Sequence, residues 1–155
     1  MDVLRDNTHK RNGLEQLQAL IASGRRPPMM DLLDISLVEI EKGRSVFEAT
    51  PSKATYNPIG SVHGGFAATI LDSACGCAVH SCLSAEQGYT TLELKVAFHR
   101  ALTDSSGRVR AEGALLSFGR RVAFAEAKLF DAQGRLCVSA TSTLLVFEID
   151  ATASA

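Results

Sequence analysis

The strongest constraint on this chain is one long apolar segment that begins in a loop and carries a single acid. It covers residues 57–83 with the sequence NPIGSVHGGFAATILDSACGCAVHSCL. Asn57 and Pro58 predict a turn, and after Gly65 apolar residues occupy nearly every face, which is typical of a buried helix. Asp72 lies in the middle of that predicted helix, where a carboxyl group is costly unless it is hydrogen-bonded or has a function.

The start of the same helix predicts a site that stabilises negative charge. A helix N-terminus offers unpaired N–H groups and a partial positive charge. His63 is followed by Gly64 and Gly65, and residues without a Cβ atom let a ligand approach those N–H groups closely. Acyl transfer needs an oxyanion donor and a base or nucleophile, so the Gly65 N–H and the Asp72 carboxylate are the candidates for these roles.

These motifs resemble the hotdog-fold acyl-CoA thioesterases, and most closely the PaaI-like branch of phenylacetate metabolism. The likeness covers residues 34–147 and rests on Asn57-Pro58, His63-Gly64-Gly65, Leu71-Asp72-Ser73-Ala74, Thr91, Phe98 and the Gly119–Phe124 turn. It implies an α+β hotdog fold, in which an antiparallel sheet wraps around one long central helix. It also implies hydrolysis of acyl- or aryl-CoA thioesters without a metal or an organic cofactor, coenzyme A being part of the substrate.

The resemblance assigns roles to further residues, each beside a plainer alternative. Asn57 matches a loop Asn that positions water or the thioester, or it forms only an Asx-turn before Pro58. Thr91 matches a Ser/Thr near the carboxylate and could hold the water, or it is an ordinary strand residue. His63 orients the loop or hydrogen-bonds the substrate carbonyl. Asp72 itself either activates water or attacks the carbonyl directly, unless it is a buried structural Asp.

Two glycine and three arginine positions complete the expected site. Gly64 supplies backbone freedom beside Gly65, although the pair could serve only a tight entry into the helix. Coenzyme A carries phosphates, so its groove should offer cations at the rim. Arg120 and Arg121 at a predicted hairpin are the first candidates and Arg100 is the next, with a solvated turn as the alternative.

Helix geometry predicts that the site is shared between two chains. Gly65 and Asp72 are seven positions apart, so they share a helix face but lie about 10 Å apart along the axis. A thioester carbonyl needs both groups at about 3 Å. We therefore expect an obligate dimer with two composite sites, which pairs further into a tetramer.

The remaining segments predict one domain over residues 1–155. Residues 1–12 are expected to be mobile, and residues 13–33 form a helix that Gly24 ends, followed by a connector. That helix covers the core edge or lines a ligand pocket with Met29, Met30 and Leu33 as its walls. Strands are expected over 35–40, 45–49, about 91–99, about 108–115, about 123–129 and about 136–147, and the short turns predict antiparallel neighbours.

In the predicted strand over about 91–99, period-two alternation predicts that Thr91 faces away from the apolar side. The apolar side is expected to carry Leu92, Leu94, Val96 and Phe98, and the other side Thr91, Glu93, Lys95 and His99. The alanines of residues 123–127 predict a face suited to close contact with a helix.

Composition excludes several other classes of protein. The net charge of −1 and the lack of a basic face argue against nucleic acid. Asp72 and His80 interrupt the longest apolar run, so no membrane span is expected, and the polar N-terminus does not resemble a signal peptide. A cytoplasmic location is the default. The four cysteines predict reduced thiols used as small apolar residues, with no metal site.

Two other functions fit the same residues. A hotdog hydratase or dehydratase would pair His63 with Asp72 across the dimer for proton transfer. A non-catalytic acyl-CoA-binding module is the third reading, which the intact Asp72 disfavours.

Overall fold

The computed structural model describes residues 11–149, so the expectations on residues 1–10 and on the tail from residue 150 lie outside the described residues. The elements are α1 (Gly13–Ser23), α2 (Pro28–Leu32), β1 (Ile35–Glu41), β2 (Arg44–Ala49), α3 (Gly64–His80), β3 (Gln87–Phe98), β4 (Val109–Phe118), β5 (Val122–Phe130) and β6 (Leu136–Glu148). Short 3₁₀ turns lie at Lys53–Thr55 and Asp104–Ser106. Within this range one sheet of six antiparallel strands wraps around α3, which confirms the predicted α+β hotdog architecture.

The helix α3 is central because small residues let the sheet approach it closely. Ala123, Ala125 and Ala127 of β5 are all buried, as the sequence predicts. On β4, a Cβ atom at Gly113 would lie 2.2 Å from the Ala74 carbonyl oxygen, so only glycine fits there. The Ser45 hydroxyl donates a hydrogen bond of 2.7 Å to that same oxygen. The sheet therefore packs directly on the helix backbone.

The N-terminal helix α1 covers one edge of this core. Asn12 and Glu15 form a capping box at its start, and Gly24 ends it with a left-handed φ of 64°. Leu17 is buried, and a Cβ atom at Gly13 would collide with the His80 carbonyl oxygen at 1.8 Å. The start of α1 is thereby held against the end of α3. The short helix α2 lies in the segment that the sequence predicts as a connector.

The strand order differs from what the short connections suggest. The order is β1-β2-β4-β5-β6-β3, so β3 pairs with β6 and β4 pairs with β2. The strand directions are antiparallel as predicted, but β3 and β4 are not neighbours. Residues 99–108 form a connection long enough to carry the chain past α3 to the other part of the sheet, which leaves β3 as an edge strand.

The predicted facing of side chains in β3 is wrong at Thr91. A β-bulge lies between Thr91 and Glu93, where Leu92 is the extra residue. The bulge shifts the alternation, so Thr91 points toward α3 and hydrogen-bonds Asp72, on the same side as Leu94 and Val96, which pack on the core. Leu92 is left 58% exposed.

No helix among residues 11–149 is long and apolar enough to cross a membrane. All four cysteines are free, and Cys75 and Cys137 are buried. Burial, and secondarily the charge of Asp72, raises the pKa of the Cys75 and Cys77 thiols to about 12, so both stay protonated at neutral pH. They serve as small apolar residues, as predicted.

Candidate active site

The first part of the site is the N-terminus of α3. His63 is the N-cap residue, and its Nδ1 accepts a hydrogen bond of 2.8 Å from the Gly65 N–H. The Phe66 N–H donates to the His63 carbonyl oxygen at 3.0 Å. His63 and Gly65 are both exposed. The N–H that the sequence predicts as the oxyanion donor is therefore already hydrogen-bonded to an imidazole.

Both glycines of this N-terminus lie against aromatic rings. A Cβ atom at Gly64 would lie 3.0 Å from the Phe98 ring, and one at Gly65 would lie 2.9 Å from His63 Nδ1. The first contact comes from the end of β3 and the second from the helix cap. At Gly65 a side chain would displace the imidazole, and the predicted approach of a ligand to these N–H groups stays a prediction.

The Asn57 side chain is used within its own loop. Its Oδ1 accepts hydrogen bonds from the N–H groups of Ile59 and Ser61, at 3.1 and 3.2 Å. Its Nδ2 donates to the Ser61 hydroxyl at 3.0 Å. Gly60 adopts a positive φ of 86° inside the same loop. This network is the Asx-turn alternative, and the predicted contact of Asn57 with water or thioester stays a prediction.

A cavity of about 360 Å³ opens at this end of the helix. Four of the sequence-predicted residues line it, namely Asn57, His63, Gly64 and Arg100. Arg100 lies two residues after the end of β3, and its backbone N–H donates to the Cys137 carbonyl oxygen at 3.0 Å. The fold therefore gathers the loop, the helix cap and one arginine around a single opening.

The second part of the site lies in the middle of α3. The Thr91 hydroxyl donates a hydrogen bond of 3.0 Å to Asp72 Oδ1. Asp72 is half-buried, and among residues 11–149 its other carboxylate oxygen has no hydrogen-bond partner. The carboxylate is thus fixed by one oxygen and leaves the other for a water molecule or a substrate atom.

The two hairpin arginines do not line the cavity of about 360 Å³. Arg120 and Arg121 are exposed between β4 and β5. The strand register places Val122 beside Leu145, and Leu145 beside Thr90 of β3. Two strand spacings amount to about 10 Å, so these arginines lie at the level of the Asp72–Thr91 pair but well to its side.

The structure therefore brings the predicted residues together in two groups instead of one. Asn57, His63, Gly64, Gly65 and Arg100 surround the start of α3, whereas Asp72 and Thr91 lie two helical turns further on. A separation of seven helical residues is about 10 Å. Residues 11–149 contain no cluster of three or more His, Cys, Asp or Glu side chains placed to hold a metal ion.

A second cavity, of about 520 Å³, lies under α1 and α2. Its lining includes Ser73, Cys77, His80 and Tyr89, which the sequence did not single out for a site. The sequence predicts that the N-terminal helix either covers the edge of the core or lines a pocket, and the cavity lies under that helix. Of its expected walls, Met30 lines the cavity, while Met29 is 55% exposed and Leu33 packs on the core.

Comparison with known proteins places the chain in a family. The model of the thioesterase superfamily matches residues 59–138. The 1,4-dihydroxy-2-naphthoyl-CoA hydrolase of Escherichia coli (strain K12) is 33% identical over 132 residues, which cover 84% of this chain and 93% of that protein. The proofreading thioesterase EntH of Klebsiella pneumoniae is 32% identical over 123 residues, which cover 78% and 86%.

One solved structure bears directly on the expected branch. The Escherichia coli PaaI protein, from the phenylacetic acid degradation operon, superimposes with a TM-score of 0.75 over 84% of this chain and 92% of that one, at 17% identity. At this identity the likeness concerns the fold, and there it agrees with the PaaI-like expectation. The chain belongs to the thioesterase superfamily. It is a hotdog-fold thioesterase, an enzyme that hydrolyses thioesters.

Proposed function

We propose that this enzyme hydrolyses acyl- or aryl-CoA thioesters to the free acid and coenzyme A, with no metal and no further cofactor. The observation that carries the proposal is the Asp72 carboxylate, held at one oxygen by Thr91 and open at the other, on the same helix as a glycine-lined N-terminus. The name of one bacterial relative, a 1,4-dihydroxy-2-naphthoyl-CoA hydrolase, supports a CoA thioester with an aromatic acyl group, and the name of the other supports thioester hydrolysis.

We further propose that each site forms between two protomers. The edge strand β3 is 12 residues long and includes exposed Leu92 and Phe98, and an uncovered edge of this length favours pairing with another strand. Antiparallel pairing of β3 with its copy, around an axis near Lys95, brings Thr91 of one protomer close to Phe98 of the partner subunit. Since Thr91 holds Asp72 and Phe98 lies on Gly64, the two groups meet across the axis.

The chemistry then needs only side-chain and backbone groups. The free Asp72 oxygen takes a proton from water as that water attacks the thioester carbonyl, or it attacks the carbonyl itself and water cleaves the resulting anhydride. In both routes the carbonyl oxygen becomes an oxyanion, which the Gly65 N–H stabilises once His63 has turned aside. The carbon–sulfur bond breaks, and the coenzyme A thiolate leaves and takes up a proton.

The phosphates of coenzyme A call for cations outside the catalytic centre. Arg100 lines the cavity at the start of α3, near Gly65. Arg120 and Arg121 lie at the level of Asp72 along the sheet. In a composite site, all three would flank one groove. We also propose that such dimers pair into a tetramer and that the enzyme is cytoplasmic, a location that the free cysteines support.

A thiol-release assay tests this function directly. Acetyl-, hexanoyl-, palmitoyl- and benzoyl-CoA are compared with the purified enzyme, in parallel with hydration of crotonyl-CoA. Thiol release without hydration is the expected result. Hydration without thiol release would favour the dehydratase alternative, and a ligand-induced thermal shift without either reaction would favour a binding module. Gel filtration with light scattering checks the oligomeric state, and a monomer would contradict the shared site.

A further inference from the structure

A buried serine of β2 contacts the backbone of α3 close to the proposed catalytic carboxylate. Ser45 is fully buried, and its hydroxyl donates a hydrogen bond of 2.7 Å to the Ala74 carbonyl oxygen. A hydroxyl group in a core is costly unless it is hydrogen-bonded, and alanine would fill nearly the same space without that cost. What serine adds at this position is a directed contact with the helix.

The neighbouring strand β4 leaves room for this contact. Ser45 pairs with Gly113 in the register of β2 and β4. A Cβ atom at Gly113 would lie 2.2 Å from the Ala74 carbonyl oxygen and 2.9 Å from the Ser45 hydroxyl oxygen. One strand thus supplies a donor and the other an open space, so the sheet and the helix backbone meet at a defined point.

The Ala74 carbonyl group does not depend on Ser45 for a hydrogen bond. Ala74 lies inside α3, where its oxygen accepts the helical hydrogen bond from the N–H of residue 78. A carbonyl oxygen has two lone pairs, and the Ser45 hydroxyl takes the second. The Ser45 bond is therefore additional to the helix, and its loss would leave no backbone group unpaired.

The contact lies on the opposite face of α3 from the carboxylate and at nearly the same height. Ala74 follows Asp72 by two residues, which is about 3 Å along the helix axis and about 200° around it. On the face of Asp72, the Thr91 hydroxyl of β3 donates to the carboxylate at 3.0 Å. One turn of α3 is thus held between two hydroxyl groups, Ser45 from β2 and Thr91 from β3.

A second hydrogen bond joins the β1–β2 hairpin to the same helix, but it lies far from the carboxylate. The Gly43 N–H donates to the Ser81 hydroxyl at 2.8 Å, just after the last residue of α3. Ser81 follows Asp72 by nine residues, or about 13.5 Å along the axis. This bond holds the end of the helix, whereas Ser45 holds the turn that carries Asp72.

We propose that Ser45 is a positioning residue for Asp72, because its bond to Ala74 sets the position of α3 along the sheet and thereby the length of the Thr91–Asp72 hydrogen bond. Apolar packing is non-directional, whereas a hydrogen bond is confined to a narrow range of distance and angle. This inference rests on the proposed function, since it concerns the carboxylate of the same site. Ser45 itself touches neither the substrate nor the reacting atoms.

Thiol release by Ser45→Ala measures this role, with the thioester that the wild-type enzyme cleaves fastest among acetyl-, hexanoyl-, palmitoyl- and benzoyl-CoA. The variant should fold, because alanine fits the space and no backbone group loses its partner. A misplacement of about 1 Å can cost about 100-fold in rate, so the smaller shift expected here should lower kcat about three- to ten-fold. KM should stay as in the wild type, because no group that contacts the substrate is removed.

Ser106→Ala is the matched control for the loss of a buried serine. Ser106 is also buried, and its hydroxyl oxygen accepts a hydrogen bond of 2.9 Å from the Thr103 N–H, in a 3₁₀ turn instead of on α3. Both variants should lower the urea midpoint of unfolding, since each removes one buried hydrogen bond. Only Ser45→Ala should lower kcat.

A double-mutant cycle with Thr91→Val tests whether Ser45 acts through the Thr91 hydroxyl. Valine keeps the branched shape of threonine without the hydroxyl group. If Ser45 serves the Thr91–Asp72 hydrogen bond, adding Ser45→Ala to Thr91→Val should leave kcat as in Thr91→Val alone. Urea unfolding of the same four proteins is a readout that needs no activity, and there the two shifts in midpoint should likewise not add.

The outcomes separate this inference from the function on which it rests. If the wild-type enzyme releases no thiol from any thioester, the proposed function fails. Non-additive midpoints would then still support the link between the two hydroxyl groups, and additive midpoints would overturn it.

If thiol is released but Ser45→Ala and Ser106→Ala have the same kcat, only the inference is overturned. The same holds if the effects of Ser45→Ala and Thr91→Val on kcat multiply. A fall in kcat at constant KM that disappears in the Thr91→Val background supports it.

Discussion

The two groups of site residues on α3 are built in opposite ways. The N-terminal group consists of backbone N–H groups, a loop tied by Asn57 and an exposed imidazole cap. The mid-helix group consists of side chains, with the Asp72 carboxylate and the Thr91 hydroxyl held between a helix and a strand. The first can adjust to a ligand by turning one ring, whereas the second is fixed before the ligand arrives. A site that needs both must obtain them from separate places.

The two histidines of α3 show the same contrast. His63, at the first residue before the helix, is exposed and accepts a hydrogen bond from the backbone. His80, at the last helical residue, is buried against Gln16 and Tyr89. One ring is available to solvent and ligand, and the other is part of a cavity wall. The experiments below test this division of the helix into an adaptable end and a fixed interior.

The largest effect is expected at the fixed group. Asp72→Asn keeps the size of the side chain and an oxygen for the Thr91 hydroxyl, so the fold should be retained. Loss of the base or nucleophile should lower kcat by roughly 10²- to 10⁴-fold, measured by thiol release. Asp104→Asn makes the same change at an exposed site bonded to Tyr56 and serves as the control. A near-normal rate for Asp72→Asn would remove the carboxylate from the mechanism.

The next effect concerns the adaptable group and its sharing between chains. Gly65→Pro removes the N–H in the first turn of α3, where proline is tolerated, and should lower kcat by about 100-fold or more. When the Gly65→Pro and Asp72→Asn proteins are mixed and allowed to exchange subunits, the mixture should regain about a quarter of wild-type activity. Half of the dimers then carry one intact composite site out of two.

The control for this experiment is each variant mixed with itself, which should stay inactive. If the mixture of the two variants shows no more activity than the sum of its parts while subunit exchange is demonstrated, each site lies within one chain. The comparison between the two groups would then have to be explained without a partner subunit.

A smaller effect, on stability, is expected at the buried histidine, His80. Burial lowers the pKa of His80 from its ordinary value of 6.5 to about 4. The unfolded chain therefore binds this proton first, so the stabilisation is complete above pH 6.5 and is lost as the pH falls toward 4. Between pH 7 and pH 4.5 this amounts to about 2 kcal/mol in the free energy of unfolding.

Urea unfolding at these two pH values measures that difference. His80→Gln should remove most of the acid sensitivity, because glutamine does not titrate. His99→Gln, at an exposed histidine bonded to Ser139, should leave it as in the wild type. An equal pH dependence for both variants would show that burial of His80 is not its source.

The smallest effect is expected at the arginines. Arg100→Ala and the double variant Arg120→Ala/Arg121→Ala should each raise KM for an acyl-CoA about three- to ten-fold, because each removes a cation from the phosphate groove. Neither should change hydrolysis of the corresponding N-acetylcysteamine thioester, which lacks the phosphates. Lys42→Ala, at the exposed β1–β2 turn, is the control. If the two variants raise KM unequally, the larger increase identifies the arginines that bind the phosphates of coenzyme A.

Much of the fold was accessible from the sequence because the decisive signals are local. The continuous apolar run predicts α3, Gly24 predicts the end of α1, and the alanines of β5 predict its contact with the helix. The nearness of Thr91 to Asp72 followed from resemblance alone. By contrast, the strand order depends on where β3 finds its partner, which is a long-range property that residues 99–108 do not encode.

The bulge at Leu92 explains the main error in the site. Leu92, Leu94 and Val96 alternate without interruption in the sequence, so nothing local shows that the strand changes phase between Thr91 and Glu93. The same error concealed the position of Tyr89, because Tyr89 and Thr91 lie on the same side of β3. The His63–Gly65 hydrogen bond was also not predicted, because it depends on the rotamer of an exposed ring.

That extra residue has a consequence for how the strand could evolve. The bulge at Leu92 lets Tyr89 and Thr91 face α3 together with Leu94 and Val96, although an odd number of positions separates the two pairs. Deletion of Leu92 would join Thr91 to Glu93 with the pairing to β6 unbroken, so both halves of the strand would still face the helix. The strand could therefore lose this residue and still hold the Thr91 hydroxyl at Asp72.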